Sequence, residues 1–247
     1  MAAASIHFGN PNHAAIRIRA GQSWPSDHGT EAPHIPMTPA EKAELSRIGQ
    51  VIDYHTSGSL LFSQGEDALY YYLLTDGIVE TYFSLRNGER QILAFHWPGD
   101  LIGLSELGRY VGSAATVAPS RLYRFSVGEL SRSLRANPEI QNGFLVKAIH
   151  DLRNAQRQLI VMGRLDITHR LAAFLLDCSA HEHYYDANTN LLTLAMTRFD
   201  IADYLGTSAE TVTRAMGQLQ RNGLIKRLRP RDIKIDRPGL RAFVDLE

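Results

Sequence analysis

The 247 residues can bury a sizeable core and suit two modest domains. Lys plus Arg equals Asp plus Glu at 26 each, so the chain has no overall basic excess, and a nucleic-acid partner would have to be met by a local patch. The single cysteine, Cys178, excludes an intramolecular disulfide, a four-cysteine zinc site and a cysteine-ligated iron–sulfur cluster within one chain.

Residues 1–36 mix Ala, His, Pro, Asn and Ser without a period and read as a flexible tail. His7, His13, His28 and His34 are scattered through it without metal-ligand spacing. The first residues lack the charged and apolar regions of a secretory signal, and no apolar stretch approaches the ~20 residues that span a bilayer. A cytoplasmic protein without a membrane partner is expected. From Thr38, TPAEKAELSRIG has a cap, a proline at the first helical position and acidic residues in the first turn, which predicts a short helix.

Over residues 37–136 the texture turns to short alternating runs broken by glycine, the pattern of strands and tight turns. Asp76-Gly77 and Asn87-Gly88 predict hairpins whose two central residues both take positive φ. Gly65, Gly77, Gly88 and Gly99 recur every eleven or twelve residues, as in a rolled antiparallel sheet, so a β-roll or jelly-roll sensor domain is expected. Metal-dependent jelly-roll enzymes line the barrel with His and Glu ligands. Here only His55 and His96 fall in the barrel region, without a His-x-His pair, and His96 reads as a core-edge histidine. No nucleophile-base-orienter set occurs, so an enzyme is not expected.

Residues 137–164 form the next unit, a long helix opened by Asn137 as cap and Pro138 at its first position. Leu145, Ala148, Leu152, Ala155, Leu159 and Met162 step alternately by three and four, an a/d seam that predicts a parallel homodimer. Ile140, Phe144, Ile149 and Ile160 make a second apolar face suited to the roll.

Residues 165–247 begin with another apolar helix, HRLAAFLLD, with Cys178 at its end, and a short strand from Leu191 to Ala195. MTRFDIADYLGTSAETVTRAMGQLQR then reads as a helix-turn-helix. Thr197 caps a first helix with Phe199, Ile201, Ala202 and Leu205 facing inward, and Gly206 ends it in the left-handed conformation. Ser208 caps a second helix whose Val212, Ala215, Met216 and Leu219 face inward. Glu210, Thr213 and Arg214 are left outside for base readout, with Thr197, Arg198, Ser208, Ala209, Thr211, Arg221 and Arg229 as backbone contacts or supports. Between Arg221 and Arg231, five basic residues (Arg221, Lys226, Arg227, Arg229, Arg231) stand without an acidic one, over a stretch that alternates like a two-stranded wing. The expected fold class is α+β: a β-roll, a dimerisation helix and a C-terminal winged helix-turn-helix that binds double-stranded DNA.

This order of units resembles the Crp/Fnr family of bacterial transcription regulators over about residues 38–240, most clearly in HRLAAFLL, in LTLAMTRFDIADYLGTSAETVTRAMGQLQRNGLI and in FSQGE, LTDGIVE and PGDLIG. Glu210, Thr213 and Arg214 take the places of the Glu-x-x-Ser-Arg pattern of its Fnr and FixK branch. The resemblance implies readout of a TTGAT-like inverted repeat, with Arg214 on the guanine and Glu210 on the opposing strand, and action through RNA polymerase as an activator. Where cyclic-nucleotide-binding members carry Gly-Glu and Arg-Ser pairs, this chain has Gly103-Leu104 and Gly112-Ser113. The charge-assisted bonds a buried cyclic phosphate requires are therefore missing, and cAMP independence is expected. Three sensing schemes stay open: redox chemistry at Cys178, a haem or other small molecule in the roll that gates DNA binding, or no effector and no cofactor at all.

Overall fold

The computed structural model describes residues 39–105 and 108–244, so the tail expected at residues 1–36 lies outside the described residues. Helix α1 (Pro39–Ile48) is followed by β1 (Gln50–Tyr54), β2 (Leu60–Phe62), β3 (Tyr70–Asp76), β4 (Val79–Ser84), β5 (Arg90–His96), β6 (Leu101–Ile102), β7 (Ser113–Thr116) and β8 (Ser120–Ser126). These strands form two antiparallel sheets, ordered β1-β8-β3-β6 and β2-β7-β4-β5. Phe62, Tyr72, Leu74, Val79, Ile102, Ala114 and Leu122, drawn from both sheets, fill the space between them.

The tyrosine run of β3 follows from strand alternation. Tyr72 and Leu74 point into the roll, whereas Leu73 points out and packs with Leu45, Leu101, Phe125 and Leu130 under α1 and α2 (Val127–Ala136). A strand covered on both faces reads as a continuous apolar run.

Two turn expectations are corrected. Asp76-Gly77 does not close a hairpin: β3 pairs with β6 and β8, β4 with β5 and β7, so this turn carries the chain from one sheet to the other. Asn87-Gly88 does close the β4–β5 hairpin, but only its glycine has positive φ, at 86°, and the turn is held by Gly88 N–H donating to Leu85 O at 3.1 Å. At Gly77 the glycine is obligatory, because its φ is 89° and a Cβ there would run into Pro119 O and Ser120.

The long helix α3 (Pro138–Arg164) spans 27 residues, with proline in its first turn as expected. Asn137 does not cap it. Its side-chain amide instead donates backwards to Ser133 O at 3.0 Å, closing the end of α2. Ile140 is buried and Phe144 packs against the roll, but Ile149 is exposed and Lys147 takes the buried position beside it, so the second apolar face is shorter than its spacing predicts.

Helix α4 (Ile167–Cys178) is capped by Asp166, whose carboxylate accepts from Thr168 N and His169 N. After it come β9 (Tyr185–Asp186), β10 (Leu191–Thr193), α5 (Arg198–Leu205), α6 (Ala209–Arg221), β11 (Ile225–Arg227), β12 (Asp232–Ile235) and α7 (Arg237–Val244). The small sheet runs β11-β12-β10-β9, with β11 and β12 as the wing. One apolar core joins α4, α5, α6 and α7, and Ile78 and Trp97 of the roll belong to it. Trp97 stacks on His181 with ring centroids 3.8 Å apart, and Phe95 of β5 meets Tyr204 of α5 at 5.2 Å. The roll and the helix-turn-helix therefore share packed side chains.

Candidate nucleic-acid interface

Helix α5 begins in a capping box: Thr197 accepts from Asp200 N while the Asp200 carboxylate accepts from the Thr197 N–H and hydroxyl, both at 2.7 Å. It ends at Gly206, whose φ of 64° turns the chain. Ile201, Ala202 and Leu205 are buried, but Phe199 is 71 % exposed. That corrects its inward assignment: in the first turn it faces away from the stripe formed by Ile201, Ala202 and Leu205. Ser208 caps α6 through the N–H of Thr211.

Val212, Ala215, Met216 and Leu219 of α6 are buried, and Glu210, Thr213 and Arg214 stand on its exposed face. The outer residues are held by short local contacts. Thr213 Oγ1 donates to Ala209 O at 2.9 Å, and Arg214 Nη2 donates to Thr211 Oγ1 at 2.9 Å, which orients the guanidinium. The Glu210 carboxyl is held below the usual range by its own backbone N–H and the Ser208 hydroxyl, with help from Arg214. It is thus an acceptor at neutral pH, the form that can take a bond from cytosine N4.

Around α6 lies a field of cations. Arg198, in the first turn of α5, is partly buried and has its charge disfavoured first by that burial and then by Arg227 of the wing. Arg227 is fixed by α6, with Nε donating to Gln220 Oε1 at 3.0 Å. Sequence reading missed Gln220, because a wing anchor on a recognition helix has no local signature. A guanidinium at the N-terminus of α5 and another on the wing that feels its charge suit a phosphate. Arg221 and Arg231 are exposed, and Arg229 is 80 % exposed with Asp232 3.9 Å away.

The seam residues of α3 are mostly open on a single chain: Leu145 is 52 %, Leu152 59 % and Leu159 73 % exposed, and Ala148 and Ala155 are exposed beside them. Met162 departs from the seam. It is partly buried, and its methyl lies over the α5–α6 turn, 3.1 Å from where a Cβ on Gly206 would sit.

In the roll, Gly103 is hemmed in by the rings of Tyr110 and Phe62, which stack on each other with centroids 3.7 Å apart. Ser113 is buried and its hydroxyl accepts from Gln64 N at 3.0 Å, while Leu104 is exposed. His96 shares a 3.0 Å hydrogen bond with Thr81, burial holding its pKa down, and His55 is exposed. Among the described residues no group of three or more His, Cys, Asp or Glu is arranged to hold a metal ion, and no described helix is long and apolar enough to cross a membrane.

Cys178 is 1 % exposed at the end of α4, and burial pushes its thiol well above the ordinary value. A thiol that is neither ionised nor reachable reacts slowly. Native protein is therefore expected to react with a disulfide reagent far more slowly than denatured protein, and Cys178→Ser to bind DNA like the parent with or without peroxide. Loss of the parent's binding in peroxide, absent from the variant, would restore a redox role.

A β-roll joined through a long helix to a winged helix-turn-helix defines a DNA-binding regulator with a sensor-type domain. Residues 53–137 match the cyclic nucleotide-binding domain and residues 169–243 the Crp-like helix-turn-helix domain. The chain is 31 % identical over 186 residues to the nitrogen fixation regulation protein FixK of Bradyrhizobium diazoefficiens, covering 75 % of this chain and 78 % of that protein. It is 34 % identical over 189 residues to the transcriptional activatory protein AadR of Rhodopseudomonas palustris, covering 76 % and 79 %. The structure of FixK2 from Bradyrhizobium japonicum superimposes with a TM-score of 0.72 at 28 % identity, over 79 % of this chain and 96 % of that one. The protein belongs to the Crp/Fnr family of transcription regulators. It is a DNA-binding regulator and not an enzyme.

Proposed function

We propose that the protein acts in the cytoplasm as a homodimer that reads a TTGAT-like inverted repeat without cAMP, and activates transcription through RNA polymerase. The observation that carries this reading is the exposed face of α6, where an ionised Glu210, Thr213 and an oriented Arg214 stand clear of the protein. Arg214 can donate twice to guanine O6 and N7, and Glu210 can accept from a cytosine on the opposing strand. Arg198 and Arg227 hold a phosphate beside the groove, with Arg221 and Arg229 further along the backbone. The open leucines of α3 supply the two-fold pairing that sets two α6 helices one duplex turn, about 34 Å, apart.

Independence from cAMP is supported by the interior of the roll. The rings of Phe62 and Tyr110 crowd Gly103, and neither Gly103-Leu104 nor Gly112-Ser113 offers a cation for a phosphate. The same packing speaks for an effector-free protein over the ligand-gated alternative, haem included. The test is fluorescence-anisotropy binding of ligand-free protein to a duplex with two inverted TTGAT half-sites and to one with its G·C pairs swapped, across salt. Tight binding that the swap abolishes is expected; binding indifferent to the swap would overturn the assigned half-site.

Arg229→Ala provides an internal control. As a backbone contact on the wing it is expected to weaken both duplexes alike and to lower the salt slope by about one. A loss confined to the specific duplex would move Arg229 into base readout.

A further inference from the structure

We propose that Arg90 is a positioning residue for DNA readout, a clasp that fixes the helix-turn-helix on the roll. From the start of β5, beside the turn of the β4–β5 hairpin, its guanidinium meets three carboxylates. Nη1 donates to Glu80 Oε1 at 2.5 Å, Nη2 to Asp200 Oδ1 at 2.6 Å and Nε to Asp203 Oδ2 at 2.6 Å. The latter two acids lie on α5, more than a hundred residues away in sequence. The neighbouring Gln91 adds an amide hydrogen bond to Asp203 O at 2.6 Å. One planar fork thus satisfies acids on two units from three separate nitrogens, a spread and fixed geometry that the compact ammonium of a lysine does not reproduce.

Asp200 gives the clasp its leverage. One of its oxygens caps α5 through Thr197 and the other is held by Arg90, so the end of the helix beside Arg198 is tied directly to the roll. Glu80 makes the tie costly to break. It is 5 % exposed, and among the described residues Arg90 gives its carboxylate its only hydrogen bond. Burial and the neighbouring acids push the Glu80 pKa up against the pull of Arg90, so without the guanidinium the carboxylate is left unpaired. The closed clasp leaves Glu210, Thr213 and Arg214 exposed, so it holds the reading helix and does not cover it.

A dimer reads two half-sites only if both α6 helices keep a fixed separation. Opening the clasp therefore costs affinity for the correctly spaced repeat and blunts the preference for that spacing, while an isolated half-site is bound as before. This prediction rests on the dimeric reading above, and the test separates the two. Arg90→Gln and the milder Asp203→Asn, whose side chain takes no part in the cap of α5, are compared with the parent on repeats of correct spacing and with one base pair added or removed. Backbone hydrogen exchange is followed in DNA-free protein. The expected result is a roughly five- to ten-fold loss on the correct repeat, within the usual range of coupling between sites, a flattened spacing profile and faster exchange over residues 198–205 in both variants. Losses that do not add in the double variant would show that the two residues act as one contact. An unchanged spacing profile and unchanged exchange in both variants, or tighter binding in either, would overturn the clasp. Faster exchange in variants of a parent that shows no spacing preference would leave the clasp standing and sink the dimeric reading instead.

Discussion

Leu152→Asp is expected to turn the protein into a monomer that no longer discriminates an inverted repeat from an isolated half-site. Leu152 is 59 % exposed on a single chain, so the substitution removes little from the folded protomer, and any fall in the thermal midpoint should come from the lost association. Assembly is another matter. Fully burying a leucine is worth about 1.5–3 kcal/mol, and Leu152, 59 % exposed, occurs twice in a two-fold seam, so roughly 2–3.5 kcal/mol of association is at stake before the cost of burying a carboxylate is added. With that cost included, and at about 1.4 kcal/mol per factor of ten, dimer dissociation shifts by two orders of magnitude or more. Sedimentation equilibrium reads this directly. Leu159→Asp, at a position 73 % exposed one heptad further on, should act in the same way. If both variants sediment as the parent does, the seam lies elsewhere and the exposed leucines of α3 need another partner.

Legibility in the sequence follows the range of the interaction. The helix-turn-helix could be read because its signals are local: Thr197 and Asp200 cap within three residues, Gly206 supplies the left-handed turn, and Ser208 reaches the N–H of Thr211. The β-roll was legible as a class from its alternation and glycine spacing, but its pairing was not. Asp76-Gly77 signals a reversal, and nothing in those two residues says that β3 will join one sheet and β4 the other. Phe199 misled because an apolar residue in an amphipathic helix is assigned inward by default; Asn137 misled because it precedes a proline yet bonds backwards to Ser133. Helix α7 escaped notice since RPGLRAFV carries a proline and a glycine in its first turn. The Arg90 cluster had no signature at all: an arginine after an Asn-Gly turn reads as solvated surface until the fold brings Asp200 and Asp203 to it.

Arg214→Ala is expected to cost about 1–3 kcal/mol at each half-site of the TTGAT repeat and to relax the preference at its guanine. The guanidinium is exposed, and its hydrogen bond to Thr211 Oγ1 aligns it without burying it. Truncation therefore leaves α6 folded on Val212, Ala215, Met216 and Leu219, and the lost free energy is that of base readout. Because two copies of α6 engage one repeat, the effect on a full site should be about twice that on a half-site, which makes the ratio of the two losses a check on symmetry. The alternative role for Arg214 is an ion pair with Glu210 one turn earlier, worth only about 0.2–0.5 kcal/mol on a helix surface. The two roles separate cleanly. A base-reading Arg214 changes sequence preference and leaves the thermal midpoint alone, whereas loss of the ion pair would lower stability slightly and weaken every duplex alike. Equal weakening on the native and the swapped repeat would remove Arg214 from base readout and pass the reading of the guanine to another residue on α6.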